Sequence, residues 1–127
     1  MPLVRIAYLK GKPQGFGKKV GAIVYQTMLD TINVPPKDNF QLISEHDPDT
    51  LVYDPDYLDI PRTDGVIFIQ ITLNEGRSVE LKKAFYNTLA LRLQQELGVC
   101  MQDVFINLVE VKKENWSFGE GIAQYAE

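Results

Sequence analysis

The stretch Val66-Ile67-Phe68-Ile69-Gln70-Ile71-Thr72-Leu73 is a nearly continuous β-branched run that closes on the breaker Asn74-Glu75-Gly76. Such a run reads as a strand covered on one face and buried at an interface on the other. Ser78 then stands where an N-cap belongs, with Glu80 and Leu81 following. Leu81, Phe85, Leu89, Leu93 and Leu97 recur at helical spacing as far as Gly98, and Val104 to Val111 is a second strand. The segment is one strand-helix-strand unit.

Moving back 65 positions finds the same unit again. Ile6 meets Ile71, Gly11 meets Gly76, Lys18 meets Lys83 and Val34 meets Val99. Asp38 meets Asp103, Phe40 meets Phe105 and Glu45 meets Glu110. These seven identities over about 44 ungapped pairs exceed the roughly two or three that chance would supply. Class matches carry more weight. Val24/Leu89, Met28/Leu93 and Ile32/Leu97 keep one helical face apolar, and Asn33/Gly98 puts a left-handed-tolerant residue after each helix. Leu3 to Leu9 is therefore the first strand, broken by Gly11 and Pro13. Phe16, Val20, Ile23, Val24, Met28 and Ile32 mark a helix that Asn33 and Pro35-Pro36 end, and Phe40 to Glu45 begins another strand.

Two such units predict an α/β fold: a tandem β-α-β repeat forming a four-stranded mixed sheet with both helices on one face. The chain reads as a single domain of residues 1–127, with repeats 2–45 and 67–110. Its crossovers should be right-handed and parallel within each unit. The strand beginning at Pro2 and the strand ending before Arg77 should lie side by side near the sheet centre. The uncovered sheet face calls for self-association, as a closed ring. Residues 46–63 connect the units, and Asp47-Pro48, Asp54-Pro55 and Ile60-Pro61 exclude a regular helix there. A connector this long is expected to shape a site or an interface.

The 127 residues suit one core, and 45% hydrophobic with 24% charged residues is ordinary for a soluble protein. Net charge −4 argues against nucleic acid as a partner. No apolar run approaches the roughly 18 residues of a membrane span. The start lacks a basic-then-apolar signal segment. One His and one Cys give no zinc-ligand spacing, so neither metal nor cofactor is expected. Cys100 alone makes no internal disulfide, which fits a cytoplasmic setting, and it reads as a small buried residue. His46 reads as a loop or packing residue.

Pro2 is a candidate for chemistry. After a small residue like proline the initiator Met1 is normally trimmed, leaving a free secondary amine. An amide nitrogen is neither base nor nucleophile, whereas a terminal prolyl nitrogen is both. An α-amino group titrates near ~8, and burial or a neighbouring cation lowers that value. Arg77, just before a helix start, is a candidate anion binder, although its repeat counterpart Lys12 also follows glycine. Asp38 recurs as Asp103, and a capping role at the turn into the second strand explains both. Trp116 and Phe118, beside Gly119 and Gly121, suggest a turn folded over something.

Met-Pro-Leu, the repeat and the closing Trp116-Ser117-Phe118-Gly119-Glu120-Gly121 resemble the tautomerase superfamily, which uses an amino-terminal proline in catalysis. Within it the likeness is to malonate semialdehyde decarboxylase and related proteins. It includes Val34-Pro35, Asp38, Phe40-Gln41, Ser44, His46, Arg62 and Arg77-Ser78. The resemblance implies a trimer in which Pro2 is the acid/base amine. It makes Asp38 an active-site carboxylate that assists water or positions substrate, and Arg77 the holder of the substrate carboxylate. Trp116 and Phe118 become pocket walls. Where the decarboxylase has a further arginine this chain has Asn74-Glu75, making Asn74 a candidate neutral donor to substrate. The reading is a cofactor-free keto-enol tautomerase acting on a small 2-oxo acid. Two alternatives stand beside it: a decarboxylase or hydratase of a 3-oxo or unsaturated acid, and a non-catalytic trimeric ligand-binding or signalling protein.

Overall fold

The computed structural model of the protein describes residues 2–126. Strand β1 (Leu3–Leu9), helix α1 (Phe16–Thr31) and β2 (Phe40–His46) form the first unit; β3 (Ile67–Asn74), α2 (Val79–Leu97) and β4 (Val104–Val111) form the second. The sheet order is β2-β1-β3-β4. Within each unit the strands run parallel, and the units meet through the antiparallel pair β1–β3, with Leu3 opposite Thr72 and Tyr8 opposite Ile67. The mixed sheet expected from the repeat is the one observed.

Alternation along the central strands sorts the two faces. Val4, Ile6 and Tyr8 of β1, with Ile67, Ile69, Ile71 and Leu73 of β3, pack against Val20, Val24 and Met28 of α1 and Phe85, Leu89 and Leu93 of α2. Both helices therefore cover one face. They also pack on each other, where Arg92 of α2 pairs with Asp30 at 2.8 Å and donates to Thr27 Oγ1 at 3.3 Å. Ser78 caps α2, its Oγ accepting the Leu81 N–H at 3.2 Å. Both helices end on left-handed residues, Asn33 at φ 60° and Gly98 at φ 69°. In α1 two glycines permit a close approach. A methyl at Gly17 would collide with the Tyr8 hydroxyl and Ile43, and one at Gly21 with the Gln41 side chain.

The other face carries Phe40 and Leu42 of β2, Arg5 of β1, Phe68 and Gln70 of β3, and Phe105, Asn107 and Val109 of β4. Phe40, Leu42 and Phe105 are about half exposed. The connector makes only a short 3-10 turn at Tyr57–Asp59. Two sequence expectations need correction. Cys100 is exposed, because it precedes the 3-10 turn Met101–Asp103 rather than facing the core. Asp103 does not cap its own turn. It is buried and accepts from the Thr63 N–H at 2.7 Å and Thr63 Oγ1 at 2.6 Å, fastening the end of the connector where the chain enters β3. Among the described residues no helix is long and apolar enough to cross a membrane.

Candidate active site

The strand directions bring the candidate residues to one end of the sheet. β1 and β2 start there, while β3 and β4 finish there. Pro2 thus enters the sheet beside the point where Asn74 and Arg77 leave it. Asp38 lies just ahead of β2, and the segment holding Trp116 and Phe118 follows β4. Four separate stretches of chain converge because the repeat is antiparallel at its centre.

Pro2 is buried and lines a cavity of about 190 Å³ together with Leu3, Phe40, Trp116, Ser117 and Phe118. The Trp116 and Phe118 rings stack with centroids 5.4 Å apart, and Tyr125 meets Phe118 edge-on at 5.0 Å. Gln124 closes the loop they sit on. It accepts the Phe118 N–H at 3.0 Å and donates to the Gly119 carbonyl at 3.0 Å. Gly119 at φ 144° and Gly121 at φ 70° supply the turn. Among the lining residues only Ser117 and the indole N–H of Trp116 are polar side-chain groups.

Arg77, Asn74 and Asp38 are not among the residues lining that cavity; they flank it. The Trp116 indole N–H donates to Asn74 Oδ1 at 2.8 Å. The main-chain oxygen of Asn74 accepts from Arg77 Nη1 at 3.1 Å, and Arg77 Nε donates to the Ile32 carbonyl at 2.6 Å. Ile32 is the C-cap of α1, so a guanidinium sits where that helix leaves its carbonyls unpaired. Burial pushes the Arg77 pKa down, against the attraction of Glu110. Nη2 of Arg77 donates to no other described residue.

Asp38 is buried, 7% exposed, and burial raises its pKa while the positive charge of the amino terminus works against that rise. The repeat explains its place. Asp103 grips the chain as it enters β3 through Thr63, and its repeat counterpart Asp38 instead feels the charge of the amino terminus. The counterpart of Arg77, Lys12, likewise has its ammonium near Gly65, beside Asp103. One end of the sheet is closed by the connector, and the other is left with a cavity.

The sequence reading missed Phe40 and Leu3 as walls. Phe40 could have been found, since it opens β2 directly opposite Leu3 and half its surface stays exposed. His46 sits at the end of β2 with its ring between Ser44 Oγ (3.1 Å) and Thr50 Oγ1 (3.2 Å), away from this site.

Comparison with known proteins bears on this geometry. Residues 38–119 match the model of a family described as tautomerase enzyme. The chain is 42% identical over 127 residues, 100% of each chain, to the probable tautomerase YusQ of Bacillus subtilis (strain 168). Crystal structures of malonate semialdehyde decarboxylase, including a mutant with its first-residue proline changed to alanine and presented as a basis for decarboxylase and hydratase activities, are similar at 29% identity. There the TM-score is 0.88, covering 97% of this chain and 95% of that one. A symmetric trimer of fused 4-OT shares the fold at 18% identity and TM-score 0.78, covering 98% of each chain.

Proposed function

Because the chain belongs to the tautomerase family, we propose that it interconverts the keto and enol forms of a small 2-oxo acid, with Pro2 as acid and base. The observation that carries this reading is the burial of Pro2 in a cavity sized for a small molecule and walled by Phe40, Trp116 and Phe118. Removal of Met1 turns the Pro2 nitrogen into an amine. Burial disfavours its charged form, and in the base mechanism it is the neutral amine that takes a proton.

In the keto-to-enol direction the nitrogen accepts the proton from the carbon beside the carbonyl. The C–H pair becomes the C=C bond, and the carbonyl π pair moves to oxygen, which then receives a proton from the prolinium. The reverse sequence ketonises an enol. Arg77 holds the carboxylate through its Nη2 edge. Ile32 and Asn74 carbonyls fix the guanidinium from its other side, so little side-chain freedom is lost on binding. We assign Asp38, buried just ahead of β2, to directing the amine into the cavity. The aromatic walls exclude water from the enolate-like transition state, where donors act most strongly.

The likeness to malonate semialdehyde decarboxylase favours a second reading, decarboxylation or hydration of a 3-oxo or unsaturated acid. That chemistry wants prolinium as an acid and water held by Asp38. The pH dependence separates the two. A base loses activity as acid protonates the amine, and an acid loses activity as alkali removes its proton. We assign the working form to a homotrimer assembled through the apolar sheet face, in a cytoplasmic setting.

Pro2→Ala, made in the processed protein, should lower kcat/KM for phenylenolpyruvate ketonisation by about 100-fold or more, the worth of a positioned acid/base group. Full activity in protein that retains Met1, shown by mass spectrometry, would refute the scheme.

A further inference from the structure

Asn74 stands at the junction of two parts of the proposed site. Its side-chain oxygen takes the Trp116 indole N–H, and its main-chain oxygen takes Arg77 Nη1. The segment after β4 is otherwise tied largely to itself, through Gln124 and the Trp116–Phe118–Tyr125 ring contacts. A loop built on Gly119 and Gly121 has little stiffness of its own. The indole N–H needs a partner when its ring is half buried, and Asn74 provides a short, well-placed one.

We propose that Asn74 is a positioning residue, which holds the Trp116 ring as a wall of the Pro2 cavity and sets that wall against Arg77, without itself touching substrate. The position of the ring in the wall of the Pro2 cavity then depends on one carboxamide oxygen. This inference rests on the tautomerase reading for its kinetic consequence, but its structural half does not. A contact made through Oδ1 leaves Asn74 acting on ligand binding through Trp116, whereas a donor role would use Nδ2 on the substrate directly.

Trp116 is the only tryptophan in the chain, so its fluorescence reports the contact without any assay of turnover. In the full processed chain, Asn74→Ala should move the emission to longer wavelength and make it easier to quench with acrylamide. Asn74→Asp, which retains an acceptor oxygen, should restore parent-like emission and quenching. The Arg77 bond to the main chain survives both substitutions, so folding is preserved and is verified by circular dichroism melting. With phenylenolpyruvate, Asn74→Ala and Trp116→Phe should each raise KM about 3- to 10-fold with kcat little changed, the worth of one neutral hydrogen bond. The double variant should lose no more than either single one. Parent-like emission in Asn74→Ala would overturn the proposal. So would losses that add in the double variant, or a fall in kcat confined to the Asn74 variants, since those mark a donor acting on the substrate. If the parent does not ketonise the substrate, the tautomerase reading fails and the fluorescence of the Asn74 variants still decides this one.

Discussion

Asp38 is the residue on which chemistry and stability meet. Its carboxyl is held above the usual range because burial outweighs the attraction of the amino-terminal charge. A carboxyl with a raised folded pKa binds its proton more tightly in the native state. Native stability is therefore unaffected below the unfolded value of about 3.9, and falls as pH rises from there through the folded pKa. Asp38→Asn, neutral at every pH, should melt higher than the parent at pH 7, with the difference vanishing near pH 3. Differential scanning calorimetry across that range measures it; a lower melting temperature for Asp38→Asn at pH 7 would mean that attraction to the amino terminus outweighs desolvation. Pro2, Asp38, Arg77, Trp116 and Phe118 were all legible as residues of interest. Their relations were not. Nothing in the spacing of Asp38 and Asp103 revealed that Asp103 fastens the connector, because that contact reaches Thr63, 40 positions away. The Trp116–Asn74 bond was equally hidden, since it joins residues 42 positions apart through a loop with no periodicity.

At the scale of elements the sequence was most informative. The four strands and two α-helices were foreseen to within a residue, since period-2 and period-3.6 patterns are imposed by the same core that sorts Val4, Ile6 and Ile69 from Arg5 and Gln70. Less visible was how closely α1 lies on β1 and β2. Gly17 and Gly21, one turn apart, let the helix backbone come down onto Tyr8, Ile43 and Gln41. Helix propensity alone favours alanine over glycine by roughly 1 kcal/mol. Here contact with Tyr8 and Ile43 reverses the sign. Gly17→Ala should destabilise by about 1–3 kcal/mol through overpacking, read as a lower urea midpoint at unchanged slope. A more stable Gly17→Ala protein would show that the Tyr8 and Ile43 side chains yield without cost.

For the molecule as a whole, the sheet is finished on one side only. Phe40, Leu42, Phe68, Phe105 and Val109 share the face that the helices leave bare, and an apolar surface of this kind marks an association site. In the proposed ring the β2 edge, with Phe40, would lie at the contact and bring the Pro2 cavity beside the interface. Phe105→Asp sits on the same face but outside that cavity. It should convert the assembled species to monomer in sedimentation velocity, and a parent that sediments as a monomer would contradict a ring built on this face. The sequence indicated an uncovered face because both helices fall on the other one, while Phe40, Leu42, Phe68, Phe105 and Val109 are apolar side chains left among Arg5, Gln70 and Asn107. It could not count the copies, because ring size depends on the angle between protomers rather than on any single side chain.

The titration of the Pro2 nitrogen, followed by nitrogen NMR on processed protein, decides whether this chain holds a base ready for proton transfer. The expected result is a pKa clearly below the ~8 of an exposed α-amino group, matched by the acidic limb of kcat/KM for ketonisation. A nitrogen titrating at ~8 or above, with turnover indifferent to its protonation, would contradict it.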